Sequence, residues 1–90
     1  MLFSDVPFAV LRQLLLDLDF VEKAVPPTGP LEVPGLVFGH AESDAIFMFR
    51  QYRPQDRVSM MDLFGVRSQL DWRGLLSREA FDAALRKASA

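Results

Sequence analysis

The run LVFGHAESDAIFMFRQY, residues 36–52, limits the possible folds more than any other stretch of the chain. It contains two blocks, LVFGHA and AIFMFRQY, both rich in the aromatic and branched residues that favour strands. Only Glu42, Ser43 and Asp44 separate them. Parallel neighbours need a long crossover, so two strands this close in sequence pair antiparallel, as a hairpin. In the second block Phe47 and Phe49 share one face with Ala45 and Gln51, and Ile46 and Met48 share the other with Arg50 and Tyr52. Both faces begin apolar. Either helices cover both sides of the sheet, or Ile46 and Met48 are exposed to a partner.

The flanking segments change period. Phe8, Leu11, Leu15 and Leu18, widened by Leu14, mark one face of a helix over Val6 to Leu18. Asp5 is its expected N-cap and Pro7 belongs in its first turn. Asp19 stands where the chain leaves the helix through a left-handed residue. Phe20 to Val25 predicts a short strand. Pro26, Pro27, Pro30 and Pro34, with Gly29 and Gly35, then exclude regular structure until about Leu36. Ser59 caps a second helix reaching about Trp72, with Asp62 at the third helical position, Val58 and Leu63 in the staple positions, and Gly74 as the stop. Leu63, Phe64, Val66 and Leu70 are its expected apolar contacts. Leu76, Ser77 and Phe81 repeat the device for a third helix, with Phe81, Ala84, Leu85 and Ala88 as its stripe and Arg86 and Lys87 in its last turn. The expected architecture is one α+β domain over residues 1–90, a three-stranded antiparallel sheet packed on helices in the order α-β-β-β-α-α.

Composition removes several classes of function. The 90 residues include no cysteine, which excludes disulfides and thiolate chemistry. A lone histidine among scattered carboxylates has no metal-ligand spacing, so no metal is expected. No Gly-rich phosphate loop and no nucleophile-elbow serine can be read, and no cofactor is expected. No apolar run approaches the ~20 residues of a membrane span. MLFSDVPF lacks a basic n-region, so the expected location is the cytoplasm. A formal charge of -2 argues against a general nucleic-acid binder and leaves only a local patch for that role.

The candidate patch is FRQYRPQDRVS, which gathers Arg50, Arg53 and Arg57 around Tyr52. Arginines in this pattern can clamp phosphates bidentately, and a tyrosine can stack on a base. Arg67 and Arg73 extend the patch if the second helix runs nearby. The competing reading pairs Arg50 and Arg57 with Asp56, Asp62 or Glu42 as a solvated rim. A rim of arginines and aromatics also suits a protein contact. His40 is the candidate catalytic group, with Glu42 or Asp44 orienting its ring, against a structural role beside the turn.

In this order of elements the chain resembles the HicA family of bacterial toxins. The likeness starts at LLLDLDF, passes through VFGHAESDAIFMF, and extends to DRVSMMDLFGVRSQL. It implies a fold like that of double-stranded-RNA-binding domains, messenger-RNA cleavage, and a HicB-like antitoxin as partner. It also implies a catalytic histidine three positions before the strand phenylalanine. Aligned on Phe38, that position is Gly35, and His40 matches a secondary histidine downstream. Loss of an acid–base group lowers hydrolysis by ~10²–10⁴-fold. The sequence expectation is therefore a HicA-like domain without efficient ribonuclease activity that binds RNA or a protein. Its alternatives are an active ribonuclease using His40 and a small structural or regulatory interaction domain.

Overall fold

The structure, a computed structural model, describes residues 6–25 and 35–89. Its elements are α1 (Phe8–Asp17), β1 (Val21–Val25), β2 (Gly35–His40), β3 (Ala45–Arg50), α2 (Met60–Trp72) and α3 (Arg78–Ser89). The α+β order α-β-β-β-α-α and the hairpin are as the sequence predicts. The sheet order is β1-β2-β3, antiparallel throughout, with Phe38 opposite Phe47 and His40 opposite Ala45. Asp5 and the Pro26–Pro34 stretch lie outside the described residues.

The start of α1 differs from expectation. Val6 lies outside the helix, and Pro7, extended and without a capping side chain, is the N-cap. The first amides of a helix lack intrahelical acceptors. Here the arginine-rich segment supplies them. Phe8 N–H donates to the Asp56 carbonyl at 2.8 Å and Ala9 N–H to the Pro54 carbonyl at 3.0 Å. Pro7 bridges to Arg57, and Val58 N–H donates to the Val6 carbonyl at 2.9 Å. Asp19 does leave the helix at φ 71, which aspartate tolerates better than most residues.

Strand alternation decides the question about the sheet's two faces. Ala45, Phe47 and Phe49 are buried, whereas Ile46 and Met48 are 63% and 74% exposed. Among the described residues, helices cover one side only. Phe8 meets Phe38 and Phe49 edge-on, with ring centroids 6.2 and 5.9 Å apart. These rings join Leu11 and Leu15 of α1, Leu63, Val66 and Leu70 of α2, and Phe81 and Leu85 of α3 in one buried cluster. Phe64 is a correction: it is 43% exposed and lies outside that core. The later helices keep their predicted starts. Asp62 N–H donates to Ser59 Oγ and Ala80 N–H to Ser77 Oγ, both at 3.1 Å. Gly74, at φ 73, stops α2.

Two ion pairs fix the helices laterally. The Arg12 guanidinium donates to both oxygens of Glu22 at 2.9 and 3.1 Å, tying α1 to β1. Arg67 holds Asp82 with two separate donors, Nε to Oδ1 at 2.9 Å and Nη2 to Oδ2 at 3.1 Å, tying α2 to α3. Each carboxylate raises its arginine's pKa, chiefly through the hydrogen bond.

Because Phe8 is the ring on which α1 meets the sheet, Phe8→Ala is expected to lower unfolding free energy by about 3–5 kcal/mol in denaturant titrations. Gly35 gives a second test. A Cβ there would sit 3.0 Å from the Phe49 carbonyl oxygen. Gly35→Ala is therefore expected to destabilise the domain, against the ~0.4–1 kcal/mol gain usual where the backbone has room.

Candidate functional site

The sequence places its candidate residues in two groups, at opposite ends of the hairpin. His40 closes β2 at the turn end, and the arginine segment begins where β3 ends at Arg50.

His40 is buried, its ring 5.0 Å from that of Phe20. Its partner is neither expected carboxylate. Ser43 N–H donates to His40 Nδ1 at 3.2 Å, and Ser43 Oγ lies 2.9 Å from the same nitrogen. An amide donor makes Nδ1 an acceptor, which leaves the ring proton on Nε2 and turns the Ser43 hydroxyl toward Nδ1. Strand pairing stops at His40, so residues 41–44 form the turn and Glu42 and Asp44 fall on its exposed rim. Asp44 takes φ 58 there. The imidazole thus works as an acceptor that closes the turn. At Gly35, where the family resemblance expects the catalytic histidine, a Cβ would press on the Phe49 carbonyl oxygen of β3 at 3.0 Å.

Tyr52 occupies a different place from the one predicted. The strand ends at Arg50, the alternation lapses, and Tyr52 turns inward while Gln51 becomes exposed. Its ring stacks on Phe8 at 5.1 Å and 21°, and the Arg50 guanidinium lies 5.0 Å from its centroid. The ring is a buried member of the core, with its neighbours already in place. Its hydroxyl donates to Asp62 Oδ2 at 2.6 Å and accepts from Ser59 N–H at 3.1 Å. In a simple capping box the acidic side chain itself would reach the cap residue's amide. Here the tyrosine hydroxyl stands between them and relays the contact, so the start of α2 is locked to the end of β3.

The arginines are mostly engaged. Arg53 pairs with Asp56 at 3.1 Å, and its own N–H donates to Asp56 Oδ2 at 2.8 Å. That amide, and then the guanidinium, hold the Asp56 carboxyl below the usual carboxylate range. The hydrogen bond to Tyr52 raises the pKa of Arg50. Arg57 has an interaction of its own beyond its backbone bridge to Pro7. Arg67 and Arg73 do not extend the patch: Arg67 is held by Asp82, and Arg73 donates to the Ser43 carbonyl at 3.0 Å. Among the described residues no cluster of histidine and carboxylates is arranged to hold a metal ion, and no helix is long and apolar enough to cross a membrane.

The sequence reading left open a different surface, the outer face of the sheet. Pairing register places Val21 and Lys23 of β1, Val37 and Gly39 of β2, and Ile46 and Met48 of β3 on it together. Val21 is 58% exposed. An open depression of about 610 Å³ lies among Val21, Val37, Gly39 and Ile46. Among the described residues no Phe, Tyr or Trp ring lies on this face and only the buried His40 borders the depression, so it offers no broad platform for stacking bases, while its aliphatic centre suits a protein.

Comparison with protein-family models, with curated proteins and with solved structures finds no match. Fold and site define the chain as an α+β domain with a one-sided antiparallel sheet.

Two measurements check this assignment of roles. Tyr52→Phe removes a hydroxyl that serves both Asp62 and the Ser59 amide, and is expected to cost about 1–3 kcal/mol in stability. Asp56 has a lowered pKa, so its stabilising effect is present at neutral pH and lost as pH falls through its folded-state value. The stability difference between wild type and Asp56→Asn is accordingly expected at pH 7 and should vanish in acid, as followed by thermal unfolding.

Proposed function

We propose that this chain is a non-hydrolytic protein-docking domain of HicA-like architecture, which takes its partner on the outer face of the sheet. The observation that carries this reading is the exposed aliphatic surface of Val21, Ile46 and Met48 around Gly39, on a sheet covered by helices on its other side only. Monomeric domains seldom leave such a surface without use. The resemblance supplies the partner class, a HicB-like antitoxin.

The same geometry weighs against the nuclease alternative. The His40 Nδ1 is committed to Ser43, and among the described residues no carboxylate orients the ring. RNA binding at the arginine segment is also disfavoured, since Tyr52 is buried and Arg53 is paired. That segment serves the fold first.

Co-expression with a HicB-like antitoxin tests the proposal. The wild-type chain is expected to co-purify with it. Ile46→Lys/Met48→Lys is expected to weaken the complex at least about tenfold, roughly 1.4 kcal/mol, while unfolding at the wild-type temperature. RNA incubated with the purified chain is expected to stay intact. Cleavage that disappears in His40→Ala would overturn the reading in favour of a ribonuclease.

A further inference from the structure

Helix α2 carries a glycine that its own fold does not require. Gly65 is a middle residue of Met60–Trp72, and a Cβ added there would meet nothing within 4 Å. Its φ is not positive, so the backbone does not need glycine either. Glycine is the poorest helix former after proline. A bare position in mid-helix suits the close approach of another backbone from outside the chain.

The surroundings of Gly65 indicate what approaches. The buried side of α2 is Leu63, Val66 and Leu70. Directly opposite lie Met61, Gly65, Ser68 and Trp72, spaced four, three and four residues apart. That is the spacing of a helix–helix seam. All four are exposed, with Met61 at 85% and Trp72 at 78%, and none is charged. Large residues stand at the two ends and small ones between them.

The seam is also symmetric about the point between Val66 and Arg67. A second α2 laid antiparallel across the first brings Met61 against the other copy's Trp72 and Gly65 against its Ser68. The small pair falls at the crossing, where two helices come closest. On the flanks Asp62 meets the other copy's Gln69, and Phe64 meets its Asp71, so no like charges oppose each other. This self-matching is what an isologous two-fold contact requires. Arg73 lies 5.7 Å from the Trp72 ring, which holds one end of the seam in position.

We infer that α2 is a self-association surface, on which two copies of this chain pair as antiparallel helices crossing at Gly65 and Ser68. A helix of 13 residues is about 20 Å long and about 10 Å wide. One such contact falls short of the ~800 Å² per partner of a standard complex, so the dimer is reversible and concentration-dependent. It uses a different surface from the sheet face proposed for the partner protein, and stands or falls independently of it.

Sedimentation equilibrium over a concentration series tests this, with fluorescence as a second readout, because Trp72 is the only tryptophan. The mass should rise from 10.2 kDa toward twice that value, and Trp72 emission should move to shorter wavelength over the same range. Gly65→Lys fills space that is empty within the chain, so it should keep the wild-type circular dichroism and melt at or above the wild-type temperature. It should nevertheless raise the dimer dissociation constant at least about tenfold. Ser68→Lys should do the same, and Ile46→Lys/Met48→Lys should leave the dimer unchanged. A mass of 10.2 kDa at every concentration, or a dimer indifferent to both α2 substitutions, would overturn the inference.

Discussion

The domain is organised around the stacking of Tyr52 on Phe8. This contact brings together three elements that are distant in sequence. Phe8 begins α1, Tyr52 follows two residues after the end of β3, and the Tyr52 hydroxyl reaches the cap of α2 through Ser59 and Asp62. The segment between Tyr52 and Val58 then returns across the start of α1 and accepts its first amides. A small domain has little apolar surface to spare, so a junction that buries a ring and also satisfies the exposed ends of two helices has a large effect on its stability. The arginines of this segment lie on the outside of the junction. They surround a structural clasp, which explains why an acidic protein concentrates them here.

Most of the architecture was legible in the sequence because it is local. The short link between β2 and β3, residues 41–44, left one pairing mode. Ser59 and Ser77 announced their helices, and Gly74 and Asp19 marked the exits. The start of α1 was not legible in the same way. Its cap comes from the Pro54 and Asp56 carbonyls, some forty-five residues downstream, and no local pattern in VPFAVL encodes that contact. Tyr52 was misplaced for a related reason. Alternation assigns a residue to a face only while the strand continues, and β3 stops two residues short of it. The turn at His40 failed similarly: a carboxylate two positions away would share its face only on a continued strand, and the chain turns instead.

Surface function was the least legible part. The alternation of β3 allowed Ile46 and Met48 to be covered or exposed, and only the placement of all three helices on one side decided between these. Phe64 read as core because it is aromatic, yet α2 has apolar residues on opposite faces. One face closes the core through Leu63, Val66 and Leu70, and the other presents Met61 and Trp72. The molecule therefore exposes two apolar surfaces, Val21, Ile46 and Met48 on the outer sheet and Met61 and Trp72 on α2, and on the readings proposed above the first takes a partner protein and the second another copy. The candidate chemical groups, His40 and Tyr52, are both consumed by the fold.

Amide hydrogen exchange tests the clasp most directly. The N–H groups of Phe8, Ala9 and Val58 should exchange as slowly as core amides such as those of Phe38 and Phe47, because opening the clasp separates α1 from the sheet. Exchange of these three amides at the rate of an exposed loop, with the core still protected, would show that the segment from Tyr52 to Val58 is an independent surface element and would contradict this account.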